Sequence, residues 1–180
     1  MEYVHPIKDL EKLRMMKSII KMKSSRDNLL FVLGINTGLR ISEILPLKFQ
    51  HLLDEQGQSL SFLHINNVDI YLNDQVKQAI SEHILSTSYT YDQYLFKSKK
   101  GLNPITRQQA YRMIHDAARK AGVYEQIGTH TLRKTFGYHA YLKGIAISLI
   151  QKRLHHTSPA ETLKYIGIDH NQRQRLDVNL

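Results

Sequence analysis

The sequence contains no cysteine. A disulfide framework, a thiolate zinc site and a cysteine nucleophile are therefore excluded. Long apolar runs are also missing. The longest nearly uncharged apolar stretch, residues 29–39, is too short to cross a bilayer. The N-terminal residues hold no apolar signal core, so a cytoplasmic, reduced setting is the expectation. No internal repeat, low-complexity tract or interdomain linker interrupts the 180 residues. One domain spanning residues 1–180 is expected, with residues 170–180 as a loose tail. Apolar residues at 42% and charged residues at 23% mark an ordinary globular chain, long enough to bury a core without cross-links.

Acidic residues are scarce beside basic ones. Sixteen Asp and Glu face 25 Lys and Arg, a net charge of +9. Such a surplus suits a polyanionic partner, of which nucleic acid is the common case. A basic surface that only keeps the protein soluble is the plainer alternative.

Helical periodicity dominates. Ile7, Leu10, Leu13, Met16, Ile19 and Ile20 fall on one face of a helix expected to start near Pro6. Further helices are expected over residues 26–36, 41–45, 74–85, 106–121, 131–143, 147–154 and 159–165. Residues 59–65 and 68–72 alternate as two strands, with Asn66 and Asn67 as a tight turn between them. Residues 94–96 suggest a third strand, followed by a basic turn at residues 97–101. The fold class is mainly α with a small antiparallel β-sheet.

Three segments hold side chains suited to phosphate chemistry. In His130-Thr131-Leu132-Arg133, residues three apart share a helix face, so an imidazole and a guanidinium point into one site. In Thr37-Gly38-Leu39-Arg40-Ile41-Ser42-Glu43, Gly38 permits a sharp turn and Arg40 opens the next helix. Leu154-His155-His156-Thr157-Ser158 precedes a helix that ends near Tyr165. No pair of histidines has helical metal spacing, so no metal is expected. Each segment alone fits an ordinary basic helix or helix corner.

Together, in chain order and with gaps of 93 residues from Arg40 to Arg133, 23 from Arg133 to His156 and 9 from His156 to Tyr165, they resemble the catalytic domain of the tyrosine recombinases, or phage integrases. The resemblance runs from about Pro6 to Gly167. It implies the tyrosine-recombinase catalytic-domain fold and a DNA strand cut and rejoined without metal or other cofactor. On this resemblance Tyr165 is the nucleophile that forms a 3′-phosphotyrosyl link. Arg40 and Arg133 hold the phosphate oxygens. His130 helps the tyrosine lose its proton or bonds the phosphate, and His156 donates to a phosphate oxygen. Glu43 buttresses the cluster. The expected partner is double-stranded DNA, with a monomer in solution and a tetramer on DNA. The apolar residues from Ile166 to Leu180 are expected to dock on a neighbouring subunit.

The sequence departs from the family pattern at several points. His155 stands where the family usually has glycine. The hairpin region, residues 49–76, holds no lysine to serve as general acid, and His64 is the titratable base near that turn. Lys97, Lys99 and Lys100 fit backbone phosphate contacts better. The family's usual N-terminal helical domain has no counterpart in these residues. A non-catalytic or impaired DNA-binding relative acting as a regulator is the competing expectation.

Overall fold

The computed structural model describes residues 4–168. The C-terminal tail and most of its expected docking segment lie outside those residues. The described residues form eight α-helices and one hairpin: α1 (Leu10–Lys23), α2 (Ser25–Thr37), α3 (Ile41–Ile44), β1 (Phe62–Ile65), β2 (Val68–Tyr71), α4 (Asp74–Leu85), α5 (Arg107–Lys120), α6 (Thr131–Leu142), α7 (Ile147–Leu154) and α8 (Pro159–Ile166).

Helix α2 is the centre. Leu29, Leu30, Phe31, Val32 and Leu33 are all fully buried. A helix apolar on every side must be covered on every side, and α1, α4 and α6 pack against it. The amphipathic helix α5 closes the same core through Ala110, Ile114, Ala117 and Ala118. A smaller apolar cluster of Ala140, Ile150, Leu154 and Ile166 joins α6 to α7 and α8.

Helix α6 is pressed close on two sides. A Cβ at Gly34 would stand 2.6 Å from Leu132 Cδ1, and one at Gly38 would stand 2.5 Å from Phe136 Cδ1. Positions four apart share a helix face, so these two glycines bring the C-terminal half of α2 onto α6. Gly38 also ends α2 in the left-handed region, at φ 70°. On the other side, a Cβ at Gly137 would stand 2.5 Å from Ile166 Cγ2, which seats α8 against α6. Arg40, after α2, Arg133, on α6, and Tyr165, on α8, therefore converge.

The hairpin pairs Phe62 with Tyr71 and Ile65 with Val68. Asn66 and Asn67 both take positive φ, 49° and 60°, as a two-residue primed turn requires. Leu63 and Ile70 face the core, while Phe62, Tyr71, His64 and Asp69 are exposed.

Two local expectations are corrected. Pro6 and Ile7 are not helical. The Ile7 N–H donates to Thr135 Oγ1 at 2.9 Å, and its carbonyl accepts from His139 Nε2 at 2.9 Å. With its backbone committed to α6, the segment stays extended. Helix α1 starts three residues later, where the Asp9 carboxylate accepts from the N–H groups of Glu11 and Lys12. Residues 94–96 form no strand. Tyr94 makes one isolated bridge with Lys48, and the 3-10 turn Phe49–His51 ends the pairing.

Candidate active site

Arg40 occupies the cap position of α3, and its backbone N–H donates to Glu43 Oε2 at 2.7 Å. Its guanidinium stands 3.4 Å from Glu43 Oε1 and remains largely exposed. The backbone bond fixes the entry to α3, and the free part of the guanidinium points to solvent. Arg153, half-buried on α7, feels the same carboxylate. Burial lowers its pKa, and Glu43 opposes that shift.

Arg133 is buried, at 3% exposure. One of its terminal nitrogens donates to the Gly38 carbonyl and the other to the Leu154 carbonyl at 2.8 Å. These carbonyls lie at the C-terminal ends of α2 and α7, where no helical N–H reaches them. The guanidinium thus ties three helices while its charge faces Tyr165. Burial lowers the Arg133 pKa, and the Tyr165 phenol and Glu43 partly offset this.

Tyr165 lies in the last turn of α8. Its hydroxyl is 3.4 Å from Nδ1 of His130, and its ring meets the His156 ring edge-on at 4.7 Å between centroids. Burial raises the phenol pKa above its ordinary value, against the pull of Arg133 and then of Arg40. The His130 pKa is lowered, first by desolvation and then by Arg133, Arg107, Arg40 and Lys134. A neutral imidazole beside a phenol can accept its proton at Nδ1.

His156 follows the left-handed His155, which ends α7 at φ 51°. Its Nδ1 lies 3.1 Å from Thr162 Oγ1. That hydroxyl itself donates to the Ser158 carbonyl at 3.1 Å, so it accepts from His156 Nδ1–H. Nε2 is then the ring nitrogen left to accept a proton. The loop is held by Glu161, which accepts from both the N–H and the hydroxyl of Thr157. Ser158 caps α8.

The five expected residues thus come together. Glu43 joins them through Arg40, and the remaining expected residues do not. His64 pairs with Asp69 at 2.8 Å on the exposed face of the hairpin. Lys97, Lys99 and Lys100 sit by the N-terminus of α2, where Arg26 donates to the Lys97 carbonyl at 2.7 Å. The length of α2, roughly 18 Å at its helical rise, separates them from Arg40. Beside Arg133, the hairpin turn closes an open groove lined also by Lys152, Arg153 and His155. Arg107, Lys134, Lys152 and Arg153 are site neighbours that sequence reasoning missed. Only Lys134 carried a usable signal, since it lies one turn from His130 on the same helix.

The phage integrase family model matches residues 8–172. The chain belongs to the phage integrase family. A probable integrase/recombinase of Bacillus subtilis, YoeC, is 42% identical over 175 residues, covering 94% of this chain and 92% of that protein. The type 1 fimbriae regulatory protein FimE of Escherichia coli is 31% identical over 147 residues, covering 78% and 74%. The chain spans only 51% of a tyrosine recombinase of Pseudothermotoga lettingae, at 28% identity. Among solved structures, the XerA recombinase matches with a TM-score of 0.75 at 23% identity, over 94% of this chain and 61% of that one. The XerH recombinase bound to its palindromic difH substrate matches with a TM-score of 0.71 at 23% identity, over 90% and 49%. The family fold implied by the three sequence segments and Tyr165 is the fold observed.

Proposed function

We propose that this phage integrase family member is a site-specific DNA recombinase, cutting and rejoining strands through Tyr165. The observation that carries the reading is the meeting of one phenol, two guanidinium groups and two imidazoles drawn from α3, α6, the α7–α8 loop and α8. Arg40 and Arg133 stabilise charge on the non-bridging oxygens of the scissile phosphate. The Tyr165 oxygen gives its proton to His130 and forms the new P–O bond. The bond to the 5′-oxygen breaks, and that oxygen takes a proton from solvent water and leaves as a 5′-hydroxyl. The phosphodiester energy is kept in the phosphotyrosyl link, so another 5′-hydroxyl can reverse the step. His156 bonds a phosphate oxygen through Nε2 once protonated. Burial first, and then the charges of Arg133 and Arg40, lower its pKa, and an arriving phosphate favours protonation by offsetting those two charges.

The partner is double-stranded DNA, consistent with the charge surplus and with the DNA-bound XerH structure. Lys97, Lys99 and Lys100 are suited to phosphates away from the cleavage point. The chain is monomeric in solution and assembles as a tetramer on two duplexes. No helix among the described residues is long and apolar enough to cross a membrane. The regulator reading, which the name of FimE would suit, is not favoured, because YoeC and the Pseudothermotoga lettingae relative are named recombinases and all five reactive side chains are present.

The test is covalent capture. The protein is mixed with a library of nicked duplexes carrying a randomised segment, and adducts that survive detergent and phenol are sequenced. Recovered duplexes sharing a common site, attached through Tyr165, are the expected result. Capture of no DNA from a complete library would sink the reading.

A further inference from the structure

The Tyr165 hydroxyl stands 3.4 Å from His130 Nδ1, a long hydrogen bond, and also meets the Arg133 guanidinium, but these contacts fix only the oxygen, and α8 has only 8 residues. An attacking oxygen must nevertheless be placed to within a fraction of an ångström. What holds the ring is the packing around it: the His156 ring on one side and the Lys134 ammonium, 5.0 Å from the ring centroid. The same Nζ donates to the Val4 carbonyl at 2.8 Å. Lys134 thus links the ring to the chain's N-terminal segment.

That segment is firmly seated. Val4 and Ile7 are buried. Thr135 and His139, which share the α6 surface with Lys134, hold both backbone groups of Ile7. Beyond it, Lys8 Nζ donates to the Gly167 carbonyl at 3.1 Å, at the end of α8 just past Tyr165. Residues 4–8 therefore grip the nucleophile helix at its end and, through Lys134, at the ring. We propose that Lys134 is a positioning residue for the nucleophile, fixing the Tyr165 ring by bridging its face to the Val4 carbonyl. An ammonium satisfies both partners at once, since a carbonyl oxygen and an aromatic face both attract a cation. Burial holds the Lys134 pKa below the ordinary lysine value, which marks a partly desolvated group rather than a solvated surface lysine. Lys134 does not act by titrating the phenol. The charges that face it are Arg133 and His130 on α6, Arg40 before α3 and His156 in the α7–α8 loop.

This inference rests on Tyr165 being the nucleophile, so two readouts are needed. The first is single-turnover cleavage of the captured nicked duplex. Lys134→Met keeps the length of the side chain and removes the cation. It should cleave about tenfold slower or worse, with duplex affinity and melting temperature close to the wild type. Lys134→Arg should recover most of the rate, because a guanidinium can also bond a carbonyl and lie on a ring. Wild-type cleavage by Lys134→Met, or a loss that follows the melting temperature, overturns the proposal. The second readout needs no DNA. With fluorotyrosine incorporated and the Tyr165 resonance assigned by Tyr165→Phe, Lys134→Met should move that resonance and Lys134→Arg should return it toward the wild-type position. An unmoved resonance overturns the clamp even if cleavage is seen. If the wild type captures no DNA, the nucleophile reading falls, and the resonance still decides the clamp.

Discussion

The Tyr165 hydroxyl faces Nδ1 of His130 at 3.4 Å, across the α6–α8 interface. The raised pKa of the phenol and the lowered pKa of the imidazole keep the proton on the Tyr165 oxygen at rest, so its transfer has to accompany P–O bond formation. Tyr165→Phe removes the oxygen and keeps the ring. It should abolish the covalent adduct while DNA affinity stays within a few-fold, since a single hydroxyl contributes about 1 kcal/mol. Adduct formation by the Phe variant would assign the chemistry to another residue.

The two arginines should separate under mutation. Arg133 is buried and satisfies the Gly38 and Leu154 carbonyls, whereas Arg40 is largely exposed. Arg133→Ala leaves two acceptors unpaired and should cost about 2–4 kcal/mol of stability as well as cleavage. Arg40→Ala should lose cleavage by a hundredfold or more, about 3 kcal/mol in the transition state, with little change in unfolding. Urea unfolding beside adduct yield checks both. Equal stability loss from the two variants would contradict the geometry.

Stability should fall on mild acidification. His83, 6% exposed, faces the Leu95 carbonyl through Nε2 at 3.2 Å and Ser25 Oγ through Nδ1 at 3.1 Å. Desolvation holds its pKa below 6.5 despite the opposing bond to Leu95. Below that ordinary value the unfolded chain binds the proton more readily than the folded one. The contribution of His83 is therefore present above pH 6.5 and lost as the pH falls through its folded value. His51, His130 and His156 are shifted the same way. Thermal melts across this range should show a falling midpoint, and His83→Gln should flatten part of the fall. A midpoint that stays level on acidification would refute it.

Two left-handed positions should respond in opposite directions. His155 ends α7 at φ 51°, a conformation that costs a residue with a Cβ about 1 kcal/mol. After the greater freedom of unfolded glycine is subtracted, His155→Gly should stabilise by about 0.5 kcal/mol. Gly38→Ala meets both the positive φ and the Phe136 ring, and should destabilise by about 2 kcal/mol or more. Denaturant midpoints measure both, and a destabilising His155→Gly would mean that the imidazole makes a contact worth more than the strain.

Much of this protein was legible before any coordinates. The helical period located the helices, and Asn73, whose side chain accepts from the Val76 N–H at the start of α4, and Gly122, just past α5, are residue types that mark such ends. The Asn66-Asn67 turn was recognisable because only a primed turn needs two adjacent left-handed residues. The reactive side chains were found by resemblance, on blocks whose order and gaps are carried in the chain itself. All of these signals are local, or are strings of local signals. The tertiary structure alone decided the rest. Pro6 and Ile7 left the first helix because Thr135 and His139 claim the Ile7 backbone across the fold. Residues 94–96 failed as a strand for want of a partner longer than one residue. Arg107 and Arg153 became site neighbours only when α5 and α7 were packed. Arg133 became a tie between helices because its partners, the Gly38 and Leu154 carbonyls, are unpaired ends of two helices that meet only in the folded chain. Periodicity and turn chemistry are written in neighbouring residues, whereas a hydrogen bond between distant segments exists only after the core has brought them together.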